Sequence, residues 1–392
     1  MEDLVRVVAA AGDARPPMRI AATRIAATRI AATRRRAAAS IAPACAALFA
    51  AAGIAPACVA LFAVAFLSCS PPPVQRGMYW WRTVFAPSPY EEAALRAARV
   101  TTLYIRFFDV VHGEGGAGPA PVAQVDFRFR PDPAYRIVPV VYITVHALRG
   151  LSADSAALLG RALLAETDRI AAENGIRFSE FQVDCDWTPS VRDAFFRLAA
   201  TLRDTLHARG ASLSATVRLH QYRWPGRTGV PPADRAMLMD YNMGRMSADP
   251  ADNSIYREAD AKPYIEHAGR YPLPLDAVLP LFFWTLQFRG GSAAGILGKT
   301  AEADFRGVDG IEPAGDGLFT VQRPSRFRGS FLAKGDVLKP ESVSASQCLA
   351  AGRLLARRLP SAQRTIALFE CDSLYLIRYA HHDLNELYSA FQ

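Results

Sequence analysis

From Met78 to the C-terminus, short runs rich in β-branched and aromatic residues alternate with stretches whose leucines and alanines recur at helical spacing; this alternation most constrains the fold. Strands are expected at 78–85, 101–109, 137–146, 178–187, 213–221, 236–242, 278–287 and 366–372. Helices are expected after Pro87-Ser88-Pro89 and at about 153–173, 190–208, 342–358 and 374–390. Strands joined through helices run parallel, because only a crossover returns the chain to the same end of the sheet. Eight such units in residues 78–392 suit one (β/α)8 TIM barrel, with a doubly wound open sheet as the alternative. One connection is longer than the rest: an insertion at about 288–340 carries a Gly-rich stretch and a hairpin with Arg323, Arg326 and Arg328. Those arginines read as a solvated face before they read as an anion site.

The first 69 residues have a different character. RIAATRIAATRIAAT (19–33) repeats a pentad three times, three arginines follow, and residues 37–68 carry no charge. Within that run IAPACAALFAAAG (41–53) is followed at once by IAPACVALFAVAF (54–66), one 13-residue unit written twice. Arginines before an apolar stretch are the pattern of a secretory signal, and the duplication explains the excess length. The run closes on Phe66-Leu67-Ser68-Cys69, which resembles a bacterial lipoprotein signal with Cys69 as the lipidated residue. A transmembrane anchor and a cleaved signal are the alternatives. Each places the body outside the cytoplasm, with a membrane as partner through an N-terminal lipid or helix. The expected organisation is therefore an anchor segment at 1–69, a Pro-rich linker at 70–77 and the barrel at 78–392.

Formal net charge is +8, but residues 1–68 hold eight arginines against Glu2, Asp3 and Asp13, a balance of +5 that leaves +3 for the remainder. No basic run with interleaved aromatics occurs beyond residue 68, so nucleic acid is not an expected partner. Cys185, Cys348 and Cys371 form no disulfide framework, and no zinc-type Cys/His spacing appears; neither metal nor cofactor is expected.

The fourth expected strand, FSEFQVDCDWT (178–188), carries two aspartates one residue apart. Side chains alternate faces, so Phe181, Val183, Cys185 and Trp187 share one side while Glu180, Gln182, Asp184 and Asp186 share the other. The apolar set packs under helices, which turns the acids toward the barrel axis. Parity supplies inward partners: Tyr104 and Arg106 on strand two, Tyr142, Thr144 and His146 on strand three, Ser214, Thr216, Arg218 and His220 on strand five, Glu370 and Asp372 on strand eight. A buried ion-pair network, with Arg106 and Arg218 neutralising Asp184 and Asp186, would account for this set without any chemistry. The functional reading is a polar pocket at the C-terminal ends of the strands, where barrel enzymes keep their sites.

Asp184-Cys185-Asp186-Trp187, with Val183 before it, resembles the D-x-D-W-E pattern that ends strand four of the family 18 glycoside hydrolases, the chitinase-like barrels. Met239-Asp240-Tyr241-Asn242 resembles their strand-six M-x-Y-D. The body also resembles predicted bacterial lipoproteins. The family likeness implies Asp184 and Asp186 as an inward hydrogen-bonded pair and Tyr241 as a donor near the ligand. It departs at Thr188, which stands where the family places its proton-donating glutamate. A hydrolase here needs another acid, and Asp186 with Glu370 is the chosen pair: Asp186 as nucleophile or electrostatic stabiliser, Glu370 as acid/base. Tyr241, Asn242, Arg106, Arg218, His146, His220, Trp224 and Trp284 are the candidate ligand contacts, the tryptophans because sugar rings stack on exposed aromatic faces. Three functions stay open: an envelope-anchored hydrolase-like barrel acting on an extracellular or cell-wall saccharide, an inactive barrel that binds carbohydrate or a partner protein, and a metal-dependent hydrolase using Asp184, Asp186, His146 and His220.

Overall fold

A computed structural model describes residues 74–113, 118–359 and 364–391. The N-terminal segment, its pentads and Cys69 lie outside the described residues. Eight parallel strands form the barrel: β1 (Gln75–Trp80), β2 (Thr102–His112), β3 (Arg136–Ile143), β4 (Glu180–Asp184), β5 (Ser212–Arg218), β6 (Arg235–Met239), β7 (Leu275–Pro280) and β8 (Thr365–Phe369). Each pairs with its neighbours in sequence, and β8 returns to pair with β1 through Gly77↔Ala367 and Met78↔Leu368, closing the ring. The open-sheet alternative is excluded by that last pairing.

Register fixes which side chains look inward, since residues directly opposite in a parallel pair share a face. The partners Tyr79↔Tyr104, Tyr104↔Val138, Val140↔Gln182 and Gln182↔Ser214 run round half the ring and turn Tyr79, Tyr104 and Gln182 toward the axis. Near the N-terminal ends of the strands Arg136 pairs with Glu180 at 3.0 Å and Arg235 with Asp276 at 2.6 Å. Above them the Tyr79 hydroxyl donates to Gln182 Oε1 at 2.6 Å, Gln182 Nε2 donates to Ser214 Oγ at 3.2 Å, and the Tyr79 and Tyr104 rings stack 4.8 Å apart. Gly77 completes this floor, because a Cβ there would sit 3.0 Å from the Tyr104 ring and 3.1 Å from Thr365.

β4 ends at Asp184, short of the expected 187, and Trp187 beyond it packs outward. Trp187 stacks on Phe195 at 5.2 Å and meets Phe196 edge-on, both on the helix Arg192–His207, while its indole N–H donates to the Thr228 carbonyl at 3.0 Å. Serines open three of the outer helices: Ser88, Ser152 and Ser344 each accept a backbone N–H from the third residue on, at 3.2, 3.2 and 3.3 Å.

Several strands end earlier than the apolar runs predict. β1 starts at Gln75 and stops at Trp80, and Val84–Phe85 pairs separately with Asp126–Phe127. β3 stops at Ile143 because the Thr144 side chain caps the short helix Val145–Leu148. β5 stops at Arg218, after which 219–223 is helical. The expected strand 278–287 is two strands, broken after Pro280; its second half, Phe283–Arg289, joins the insertion. The terminal helix is likewise split into Ser373–Leu376 and His381–Ser389. The insertion is an antiparallel sheet ordered Ser292–Gly298, Phe283–Arg289, Val337–Ser342, Leu318–Val321, Ile311–Gly315, with its own core of Leu297, Phe305, Ile311, Phe319, Val321, Leu332 and Leu338. Arg323 pairs with Asp309 and Arg328 with Asp304, and Arg326 is exposed.

Because the barrel floor has no room for a side chain at residue 77, Gly77→Val is expected to lower unfolding stability by about 1–3 kcal/mol, read from the midpoint of denaturant unfolding.

Candidate functional site

The mouth of the barrel is assembled where the strands end. On β4, Asp184 accepts a hydrogen bond from Thr216 Oγ1 at 2.6 Å. Just beyond it, Asp186 is paired with Arg218, whose Nη1 donates to Oδ2 at 2.8 Å; the other arm of Arg218 donates to the Asn242 backbone carbonyl. Burial pushes the Asp184 carboxyl up to about 7, and the neighbouring Asp186 adds to the rise against the opposing Thr216 hydrogen bond and Arg218 charge. Asp184 thus exchanges its proton near neutral pH, beside an Asp186 that is ion-paired with Arg218.

Across the mouth Arg106, only 2% exposed, gives Nη1 to Asp109 at 3.0 Å. A bulge in β2 between Arg106 and Phe108 shifts the register by one, which brings Asp109 onto the inward side as well. The expected neutralisation of Asp184 and Asp186 by both arginines is therefore corrected: Arg218 serves Asp186, and Arg106 serves Asp109. Aromatic rings form the rim. Phe369, the last inward residue of β8, stacks on Tyr241 at 5.4 Å and meets Trp81 at 5.4 Å and Phe282 at 5.7 Å.

Glu370 follows Phe369 and lies past the end of β8, so its position comes from the loop and not from strand parity. It is 7% exposed. Burial pushes it up to about 7 against the pull of Lys299, while Asp372 reinforces the rise. Asp372, also expected on the strand, instead caps the helix Ser373–Leu376 through the Leu374 N–H at 2.8 Å and pairs with Lys299 at 2.8 Å. The Tyr241 phenol is raised well above its ordinary range, by burial first and then by Asp184, Asp186 and Glu370, which places it within electrostatic reach of all three carboxyls.

Five buried polar atoms of this constellation find no hydrogen-bond partner in the protein: Nε and Nη2 of Arg106, Oδ1 of Asp186, Oδ1 of Asn242 and Oε2 of Glu370. The two Arg106 atoms form the parallel edge of the guanidinium that binds two-oxygen acceptors.

Other expected contacts sit elsewhere. His146 is on the helix after β3, exposed and stacked on His112 at 5.0 Å, and His220 is exposed on the helix after β5; neither is on an inward strand face. Trp284 is 5% exposed behind Phe282, its indole committed to Glu341 at 3.1 Å. Trp224 is 39% exposed beside the mouth. Thr188 is exposed and hydrogen-bonded to Ser190, and brings no acid to the site. Among the described residues no group of three or more His, Cys, Asp or Glu side chains is arranged to hold a metal ion. Reasoning from sequence missed Trp81, Asp109, Phe369 and Lys299; only a bulge, an early strand end and the insertion bring them to the mouth.

No protein-family model matches the chain, and no curated protein matches it. Solved structures do. The C-terminal domain of a candidate chitinase from Desulfitobacterium hafniense is similar at 9% identity, covering 82% of this chain and 100% of that one with a TM-score of 0.50. The spore cortex-lytic enzyme SleL of Bacillus megaterium is similar at 13% identity over 82% of this chain and 76% of that one, TM-score 0.48. A family 18 chitinase from Cycas revoluta, solved with (GlcNAc)4, is similar at 14% identity over 81% and 100%, TM-score 0.45. At these identities the likeness is one of fold: the chain is a (β/α)8 barrel, the architecture these structures share.

Behind the mouth Asp240 is fully buried, neither carboxyl oxygen has a partner, and burial pushes it up to about 8. Carboxyls raised on folding bind protons that the unfolded chain has released. Their stabilisation is complete below the ordinary carboxylate pKa and is lost as pH rises through the folded values, here about 7 for Asp184 and Glu370 and about 8 for Asp240. The melting temperature is expected to fall by several degrees between about pH 5 and pH 9, and Asp240→Asn to flatten the upper part of that fall; a flat wild-type profile would contradict the burial argument.

Proposed function

We propose that the protein is an envelope-anchored, glycoside hydrolase-like barrel that binds a saccharide across its mouth and cleaves it with Glu370 as acid/base and Asp186 as the charge-stabilising carboxylate. The observation that carries this reading is the set of unpartnered buried atoms on Arg106, Asp186, Asn242 and Glu370. Each such group costs about 1–3 kcal/mol when left unsatisfied, a cost that a hydroxyl-rich ligand placed among them removes.

The chemistry follows from the two environments. Glu370, raised to about 7, keeps a protonated fraction at neutral pH and gives that proton to the glycosidic oxygen as the bond to the anomeric carbon breaks. Asp186, anchored by Arg218, faces the positive charge that develops on the sugar ring. Water then adds to the anomeric carbon and returns its proton to Glu370. Tyr241, near all three carboxyls, supplies a hydrogen-bond donor to the ligand. The second reading, a barrel that binds without cleaving, is favoured by Thr188 at the family's acid position.

Chitooligosaccharides and peptidoglycan fragments are the probes, scored for binding by calorimetry and for released reducing ends. Glu370→Gln and Asp186→Asn are each expected to lower turnover by about 10²–10⁴-fold with affinity kept within a few-fold, and wild-type turnover to decline as pH rises through about 7. Binding without released ends selects the second reading; no binding at all removes both. For the anchor, labelled palmitate is expected to enter the full-length chain in a bacterial host and to be lost on Cys69→Ala.

A further inference from the structure

β5 and β6 end side by side at the mouth, where Arg218 donates to the Asn242 backbone carbonyl. The two loops that leave this contact also build a cavity of about 520 Å³. From β5 the short helix Leu219–Arg223 carries the chain to Trp224, and from β6 the residues Met243, Gly244 and Arg245 follow Asn242 directly. The helix Glu258–Glu266 adds Asp260 and Tyr264 to the lining. Gly244 is required there: a Cβ would fall 2.4 Å from the Asn253 carbonyl, so the wall rests on the close approach of two backbone segments. Trp224 is 39% exposed, and its ring meets Tyr264 edge-on at 5.5 Å. The guanidinium carbons of Arg223 and Arg227 lie 5.8 and 5.7 Å from the centre of that ring, against 3.9 Å for Arg82 over Trp80, so neither is seated in contact with it. The charges of the lining balance. Arg245 and Arg257 stand against Asp252 and Asp260, and Arg257 is paired with both acids, at 2.8 and 2.9 Å.

We propose that this cavity is a distal subsite that seats a neutral sugar unit against Trp224 while other units of the same chain lie in the mouth. The inference rests on the saccharide reading of the mouth and adds that the ligand is an uncharged chain long enough to reach Trp224. The lining decides the chemistry. Balanced charges favour neither an anion nor a cation, and a wholly apolar ligand would strip water from the Arg257 pairs without replacing it. A sugar ring meets both demands: its C–H groups rest on the electron-rich face of the indole, and its hydroxyls accept from Arg245 and donate to Asp252 and Asp260. Aromatic surface with a few convergent polar groups is the usual make-up of a small-molecule site, and the volume lies within the ~300–1,000 Å³ that such sites span. Continuity selects a chain over a separate ligand, because the residues of the wall follow Arg218 and Asn242 in the same two loops. A second contact on one chain raises overall affinity while the contacts in the mouth stay as they are.

The test is calorimetric titration with chitooligosaccharides of two to six units, on the wild-type protein and, where chains are cut during the titration, on Glu370→Gln. Affinity is expected to rise by about tenfold or more from the shortest chain that binds to the hexamer. In Trp224→Ala that gain is expected to collapse while the short chain keeps its affinity within a few-fold; Trp224→Phe, which keeps an aromatic face, is expected to retain most of it. The short chain serves as the control for folding, since it occupies the mouth alone. Affinities that do not grow with length, a gain that survives Trp224→Ala, or an equal loss for short and long chains overturns the distal subsite and leaves the saccharide reading of the mouth standing. Failure of every oligomer to bind overturns both.

Discussion

The hydrogen bond from the Tyr79 hydroxyl to Gln182 Oε1, 2.6 Å long, joins β1 to β4 across the axis of the barrel. Both groups are buried and polar, so each would cost free energy unpaired, and they meet only if β1 and β4 turn these particular residues inward. A slip of one residue in β4 would send Phe181 and Val183 to the axis and the acids under the helices. Everything at the mouth inherits this register. Asp184 lies two residues above Gln182 on the same face, Thr216 lies two above Ser214, and their 2.6 Å hydrogen bond repeats one layer higher the Gln182–Ser214 contact below.

Two polar layers of opposite character result. In the floor, Glu180 and Asp276 each have an arginine within 3.0 Å, and Asp276 also accepts the Thr365 N–H. At the mouth the arginines are shared unevenly. Arg218 divides itself between Asp186 and Asn242, Arg106 is drawn to Asp109 by the β2 bulge, and Asp184 and Glu370 are left to burial. Burial raises Asp184 and Glu370 to about 7, so these two carboxyls exchange protons near neutral pH. Replacing a buried ion network by apolar packing often stabilises a protein, so a mouth that keeps several polar atoms unpartnered holds them at the expense of stability.

The barrel, its parity and most of the mouth are legible in the sequence because they depend on period-two alternation and on strand order. Asp184, Thr216, Arg218 and Tyr104 face the axis as alternation requires, whereas Asp186, which pairs with Arg218, and Trp187, which packs on Phe195 outside, lie past the end of β4 at Asp184. Strand ends were not legible, and the errors follow from that. Thr144 terminates β3 by capping a helix, a competition between side chain and backbone that the apolar run IVPVVYITVH does not reveal, so His146 falls on a helix and not on the wall. Phe369 ends β8 one residue before Glu370, so the glutamate reaches the site from a loop. Apolar residues continue from Val278 to Trp284 without a break, yet Pro280 closes one strand and Phe283 opens another in a different sheet. No local pattern marks that change of partner, since both halves are equally buried.

The insertion reaches the site from two directions. Lys339, 3% exposed, pairs with Glu341 at 2.9 Å and donates to the Ser247 carbonyl at 2.9 Å. Glu341 in turn accepts the Ser254 N–H at 3.1 Å and the Trp284 indole at 3.1 Å. These bonds grip the 247–254 segment, whose Asn253 carbonyl approaches Gly244 so closely that a Cβ there would fall 2.4 Å from it, at the wall of a cavity beside Trp224. From another strand connection Lys299 extends to Asp372 and offsets part of the rise at Glu370. Breaking a buried pair such as Lys339–Glu341 from one side costs about 3–5 kcal/mol, far more than a solvated decoration would hold at stake. A sheet tied to the segment after β6 by buried charge at one end, and to Asp372 by Lys299 at the other, therefore acts as a wall of the mouth and fixes its shape as directly as the barrel strands do.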